Sequence, residues 1–182
     1  MPTHVTSRRV ALAAAGGLFA ALSLSGAAQA ITDNVFRYTN PKTGHLAIHV
    51  MALTPDRPSS ANSYFLGFAG ALFGDGCYSA GINLPHGATM TRLSVWYTSN
   101  ADSDPNVQIR RHPLLDGGTN NIVSQIIPDD SGTRKQRNFA IADGPLAKVN
   151  NARNAYGFAV CLDSGTTFHG ARITYTYNQA GD

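Results

Sequence analysis

The chain has 182 residues, with 14 Lys+Arg against 11 Asp+Glu, no Glu at all and only three Lys (Lys42, Lys135, Lys148). Two of the best charged helix formers are thus nearly absent while Val, Thr, Tyr, Phe, Gly and Asn are plentiful, which argues against a helical bundle and for an all-β domain. Two of the basic residues belong to an export leader, so the remainder is close to neutral and lacks the basic field that a nucleic-acid partner needs.

Met1–Ala30 reads as that leader. Arg8 and Arg9 form the charged start, Val10–Leu24 the apolar run, and Ala28-Gln29-Ala30 the small residues before cleavage. The run is shorter than the roughly 20 residues of a spanning helix, so no membrane span is expected after its removal. Ser7-Arg8-Arg9-Val10-Ala11-Leu12 fits both a general secretion signal and a loose twin-arginine motif. Residues 31–182 are then expected as one secreted or extracytoplasmic domain.

Strand signals follow at steps of about ten residues, as in a sandwich. They cover His45–Leu53, Tyr64–Phe68, Tyr78–Leu84, Thr89–Thr98, Asn106–His112, Asn121–Ile127, Asn138–Ala142, Ala155–Leu162 and His169–Tyr177. Between them stand turn-forming groups such as Gly70–Gly76, Pro85-His86-Gly87 and Asp163-Ser164-Gly165. Thr89–Thr98 alternates most cleanly, with Leu93, Val95 and Tyr97 on one face and Met90, Arg92, Ser94 and Trp96 on the other. The expected fold is a two-layer antiparallel β-sandwich, jelly-roll-like, of about eight or nine strands. Arg134-Lys135-Gln136-Arg137 reads as a solvated turn.

The runs TGHLAIHVMALTP, INLPHGATMTRLSVWYTSN, VQIRRHPL and NAYGFAVCL with ARITYTY resemble secreted bacterial single-domain β-sandwich proteins of unassigned function. There an LP-x-GA turn precedes an alternating strand and an R-I-x-Y strand closes the chain. The resemblance implies a fold and an exported setting. It transfers no catalytic residue.

Cys77 and Cys161 are the only cysteines, and in an exported chain such a pair reads as a disulfide, here across a separation of 84 residues. Cys161 shares a face with Gly157 and Ala159, which leaves room for the loop holding Cys77. Several stretches imitate active sites. Asp130-Ser131-Gly132-Thr133 and Asp163-Ser164-Gly165-Thr166 spell the D-S-G-T of aspartic proteases, but 33 residues cannot separate two protease lobes, and Asx-turns explain both. Cys77-Tyr78-Ser79-Ala80-Gly81 lacks the first Gly and the strand-turn-helix setting of a nucleophile elbow. A glycosidase would need two carboxylates, and without Glu both would be Asp.

Asp102, Asp104 and Asn106 alternate as oxygen donors in a polar loop, a candidate Ca²⁺ set that fails the EF-hand pattern at Val107 and Pro113. No other cofactor is expected. His45 and His49 fall on one face of their strand by parity, with no third ligand for Zn²⁺.

Trp96, the only Trp, and Arg92 form the candidate binding surface. They face outward if the aliphatic side of their strand is core; the opposite orientation buries them. Of Arg110 and Arg111, one at most serves a given surface, because neighbours on a strand point apart. The leading function is a non-catalytic exported protein acting through its surface, in self-assembly as a homo-oligomer or in binding an extracellular glycan or protein. A carbohydrate-binding-module-like lectin using Trp96 is its sharper version. An enzyme built from scattered Asp, His and Arg is the alternative.

Overall fold

Alternation along Thr89–Thr98 calls for a strand with one buried face. In the structure, a computed structural model, Leu93, Val95 and Tyr97 are fully buried, while Arg92 is exposed and Trp96 half-buried on the other side. The structure describes residues 36–56, 65–67, 70–100, 105–129 and 132–180, all within the compact unit Asn34–Asp182. The export leader and the Asp102–Asp104 part of the calcium set lie outside the described residues.

Among the described residues eleven strands form: β1 (Phe36–Ile48), β2 (Thr54–Pro55), β3 (Phe65–Gly67), β4 (Ala71–Phe73), β5 (Gly76–Gly81), β6 (Thr89–Ser99), β7 (Asn106–Pro113), β8 (Asn120–Ile126), β9 (Lys135–Ala140), β10 (Asn154–Leu162) and β11 (Thr166–Ala180). One antiparallel sheet runs β3-β4-β11-β6-β9, with β1 also against β11; the other runs β2-β5-β10-β7-β8. From β5 onward the chain changes sheet at every connection except β7 to β8, which makes a jelly-roll-like sandwich rather than a meander. No helix among the described residues is long and apolar enough to cross a membrane.

The inner faces meet as alternation dictates. Phe158 and Val160 of β10 face Phe168 and Ile173 of β11, all fully buried. The rings of Phe158 and Phe168, one from each sheet, stack with centroids 5.8 Å apart. Each such ring buried removes apolar area worth about 1.5–3 kcal/mol from water.

Four sequence expectations change. The count rises to eleven because Ala71–Phe73, inside the presumed Gly70–Gly76 turn, forms β4 between Gly70 and Gly74, both at positive φ, and Thr54–Pro55 adds β2 beside β5. β1 stops at Ile48. There Ala52 N–H donates to His49 O at 3.0 Å, closing a single 3-10 turn that His49 caps through Nδ1 from Met51 N–H at 3.1 Å; His45 and His49 therefore share no strand face. Lys135–Arg137 is not a loop but the start of edge strand β9, paired to Val95–Tyr97 of β6. Charged side chains are compatible with an edge, where they discourage pairing with another chain. Met90 is buried, not on the Trp96 side. Its register partner is Tyr175 while Arg92 pairs with Thr174, so Thr91 is an extra residue that inverts the parity of the strand before it.

Candidate functional site

Trp96 owes its position to two neighbouring strands. Across β9 it pairs with Gln136 and across β11 with Gly170. Residues opposite each other in a ladder project to the same side, so Gln136, Asn138, Ser94, Arg172 and Thr174 share the Trp96 face. The Arg172 guanidinium lies 5.3 Å from the centre of the indole. Ser94 Oγ donates to Asn138 Oδ1 at 2.7 Å, and Gln136 Nε2 donates to the same oxygen at 3.0 Å. At one end His169 Nε2 is 3.0 Å from Thr98 Oγ1; at the other Thr174 Oγ1 is 3.3 Å from His45 Nδ1. Burial holds the His169 imidazole below its ordinary value of 6.5, and the positive charge of Arg134 adds to the effect.

Trp96 and Arg92 thus lie on one face of one strand. They are four positions apart, on the order of 13 Å at the rise of a strand. They belong to a strip rather than to a single contact. The sequence reading missed Arg172, Gln136 and Asn138; the even spacing of Gln136 and Asn138 marked a shared face, but the β6–β9 register was needed to set them beside Trp96.

A second feature sits at the end of the sandwich where β6 begins and β7 ends. A cavity of about 660 Å³ is lined by Arg111, Lys148 and Arg153, with His86, Asp116 and Asn150 among its other residues. Arg111 reaches it because it pairs with inward-facing Tyr156, whereas Arg110 lies on the outer face, 4.0 Å from Asp56 and donating to Gln108 Oε1 at 2.8 Å. The opposite wall is pinned by backbone bonds. Val149 N–H donates to Ala88 O at 2.8 Å, Gly87 N–H to Val149 O at 2.9 Å, and Leu114 N–H to Arg153 O at 2.9 Å. Asn150 N–H donates to Tyr156 Oη at 2.7 Å.

The other motif residues serve the fold. Cys77 and Cys161 are joined in a disulfide between directly paired positions of β5 and β10, with Cα atoms 3.9 Å apart, so Cys77 lies in a strand and not in a loop. Asp163 Oδ1 accepts from Thr166 Oγ1 at 2.8 Å and its carbonyl from Thr166 N–H at 3.1 Å, the turn expected of the second D-S-G-T copy. Asn106 sits in β7 with Oδ1 accepting from Gln108 Nε2 at 3.0 Å. Ser79 lies inside β5, paired to Ala159, with no helix following.

No family model and no curated protein matches the sequence. Among solved structures, the C-terminal CBM6 of LamC, a marine laminarinase from Zobellia galactanivorans, is similar with a TM-score of 0.47 and 13% identity, covering 72% of this chain and 99% of that one. A xylan-binding module, CBM15, is similar with a TM-score of 0.43 and 15% identity, covering 75% and 100%. A structure of infectious bursal disease virus, Gx strain, is similar with a TM-score of 0.38 and 12% identity, covering 78% of this chain and 33% of that one.

Proposed function

We propose that this protein is a non-catalytic binding module of the extracytoplasmic space, and that the Trp96 face takes a glycan chain. The observation that carries this reading is the outward, half-buried Trp96 among amide, hydroxyl and guanidinium groups from three strands. The apolar side of a sugar ring lies against an indole, and its hydroxyls exchange hydrogen bonds with the exposed Gln136 and Arg92 along the strip. A rigid sheet holds these groups in place, so little ordering is needed on binding.

The Cys77–Cys161 disulfide supports a location outside the reducing cytoplasm. The non-catalytic part rests on the distribution of acids. No carboxylate is among the groups named on the Trp96 face, and Asp116 is the one acid among the described residues that line the end cavity. A two-carboxylate glycosidase site has no second member there among the described residues. A glycan array tests the proposal, with wild type expected to bind a defined set of sugars and Trp96→Ala to lose them. Absence of binding to every glycan, together with a stable oligomer in light scattering, would replace glycan binding by self-assembly.

A further inference from the structure

The end cavity carries charge that the fold does not use. Among the described residues, Arg111, Lys148 and Arg153 line it against the single carboxylate of Asp116, and none of these three cations has an ion-pair partner. Three like charges against one carboxylate leave a net positive field that costs stability; an anion placed among them turns that field into an attraction. The volume, about 660 Å³, falls in the range of small-molecule sites.

The polar side chains of the wall narrow the ligand class. Arg111, Arg153 and Lys148 bring only donors to the cavity and Asn150 brings an amide that both donates and accepts, so a complementary ligand carries acceptor oxygens and also hydroxyl donors. Lys148 lines a second, smaller cavity of about 250 Å³ together with Tyr177 and Thr89, which places an aromatic ring beside the cationic cluster. The Tyr177 ring is itself held edge-on by Tyr38, with centroids 5.7 Å apart.

We propose that this cavity is a binding site for an acidic sugar, separate from the Trp96 face. The anionic group sits among Arg111, Lys148 and Arg153, ring hydroxyls turn to Asn150, and Tyr177 borders the adjoining part of the ligand. The anionic group is a carboxylate, as in a uronic acid, or a sulfate ester; both present the oxygens that guanidinium groups grip in pairs.

Calorimetric titration of the protein with a glucuronic acid disaccharide, a sulfated disaccharide and a neutral disaccharide tests this. At least one acidic probe is expected to bind, the stronger of the two assigning the anionic group, with affinity falling as salt rises. Arg153→Gln and Lys148→Gln change exposed side chains and are expected to keep the unfolding midpoint while weakening that probe about tenfold or more. Trp96→Ala is expected to leave it unchanged, so failure of the glycan reading on the sheet face and failure of this one are separable. Equal binding of the neutral probe, no binding of either acidic probe, or affinity insensitive to Arg153→Gln and Lys148→Gln would overturn the proposal.

Discussion

Arg172 lies over Trp96, its guanidinium carbon 5.3 Å from the ring centre, and its Nε is buried without a hydrogen-bond partner among the described residues. The side chain is therefore held chiefly by the indole and by its place opposite Ser94. Such a contact is worth about 0.5–2 kcal/mol depending on its exposure to water. Arg172→Ala is expected to lower the unfolding free energy by about that amount. It also uncovers the only Trp, so acrylamide quenching of tryptophan emission should increase. An unchanged quenching constant would show that the guanidinium does not shield the ring.

Gly170 is where the Trp96 face depends on the backbone. It has φ +143°, and a Cβ there would stand 3.2 Å from the carbonyl oxygen of Ile48. It also follows His169, the extra residue between the Phe168–Tyr97 and Gly170–Trp96 pairs. Gly170→Ala is expected to destabilise the fold by about 1–3 kcal/mol. Gly81→Ala meets open space and should change stability by no more than about 0.5 kcal/mol. Urea denaturation of the pair measures the contrast, and equal midpoints would contradict the bulge assignment.

The disulfide spans 84 residues of sequence but only one rung of sheet. Removing it by Cys77→Ala with Cys161→Ala frees the unfolded chain and is expected to cost about 4 kcal/mol. Denaturation with and without reductant gives the same comparison in the wild type. A loss below about 1 kcal/mol would mean that the ladder alone fixes β5 against β10.

His169 gives stability a pH dependence of definite sign. Its folded-state pKa lies below the unfolded value near 6.5, by burial first and Arg134 second. Between the two values the unfolded chain binds more protons, so stability rises with pH there. The contribution is complete above about pH 6.5 and is lost as pH falls through the folded value. His169→Gln, measured alongside wild type from about pH 7 to about pH 5, should flatten the decline. Parallel curves would remove His169 as its source.

Alternation made β6, β10 and the middle of β11 legible from the sequence, because period-two patterning records which face is wet. Bulges erase that record. Thr91 and His169 each insert one residue, and parity alone therefore put Met90 on the wrong face and left the neighbours of Trp96 unnamed. Polar edge strand β9 was hidden for a different reason: Lys135 and Arg137 satisfy a loop as well as an edge, and only ladder bonds to Val95–Tyr97 distinguish them. The cationic cavity joins Arg111 of β7 to Lys148 and Arg153 of the β9–β10 connection, a juxtaposition made by backbone bonds between loops and invisible to local spacing.

The central claim is that ligand sits on Trp96, and the single Trp allows a direct reading of it. Titrating an oligosaccharide selected from the glycan array while following tryptophan emission should produce a saturable spectral shift and protection from acrylamide, with the midpoint matching calorimetry. Saturable binding by calorimetry with emission and quenching unchanged would place the ligand elsewhere and contradict the account.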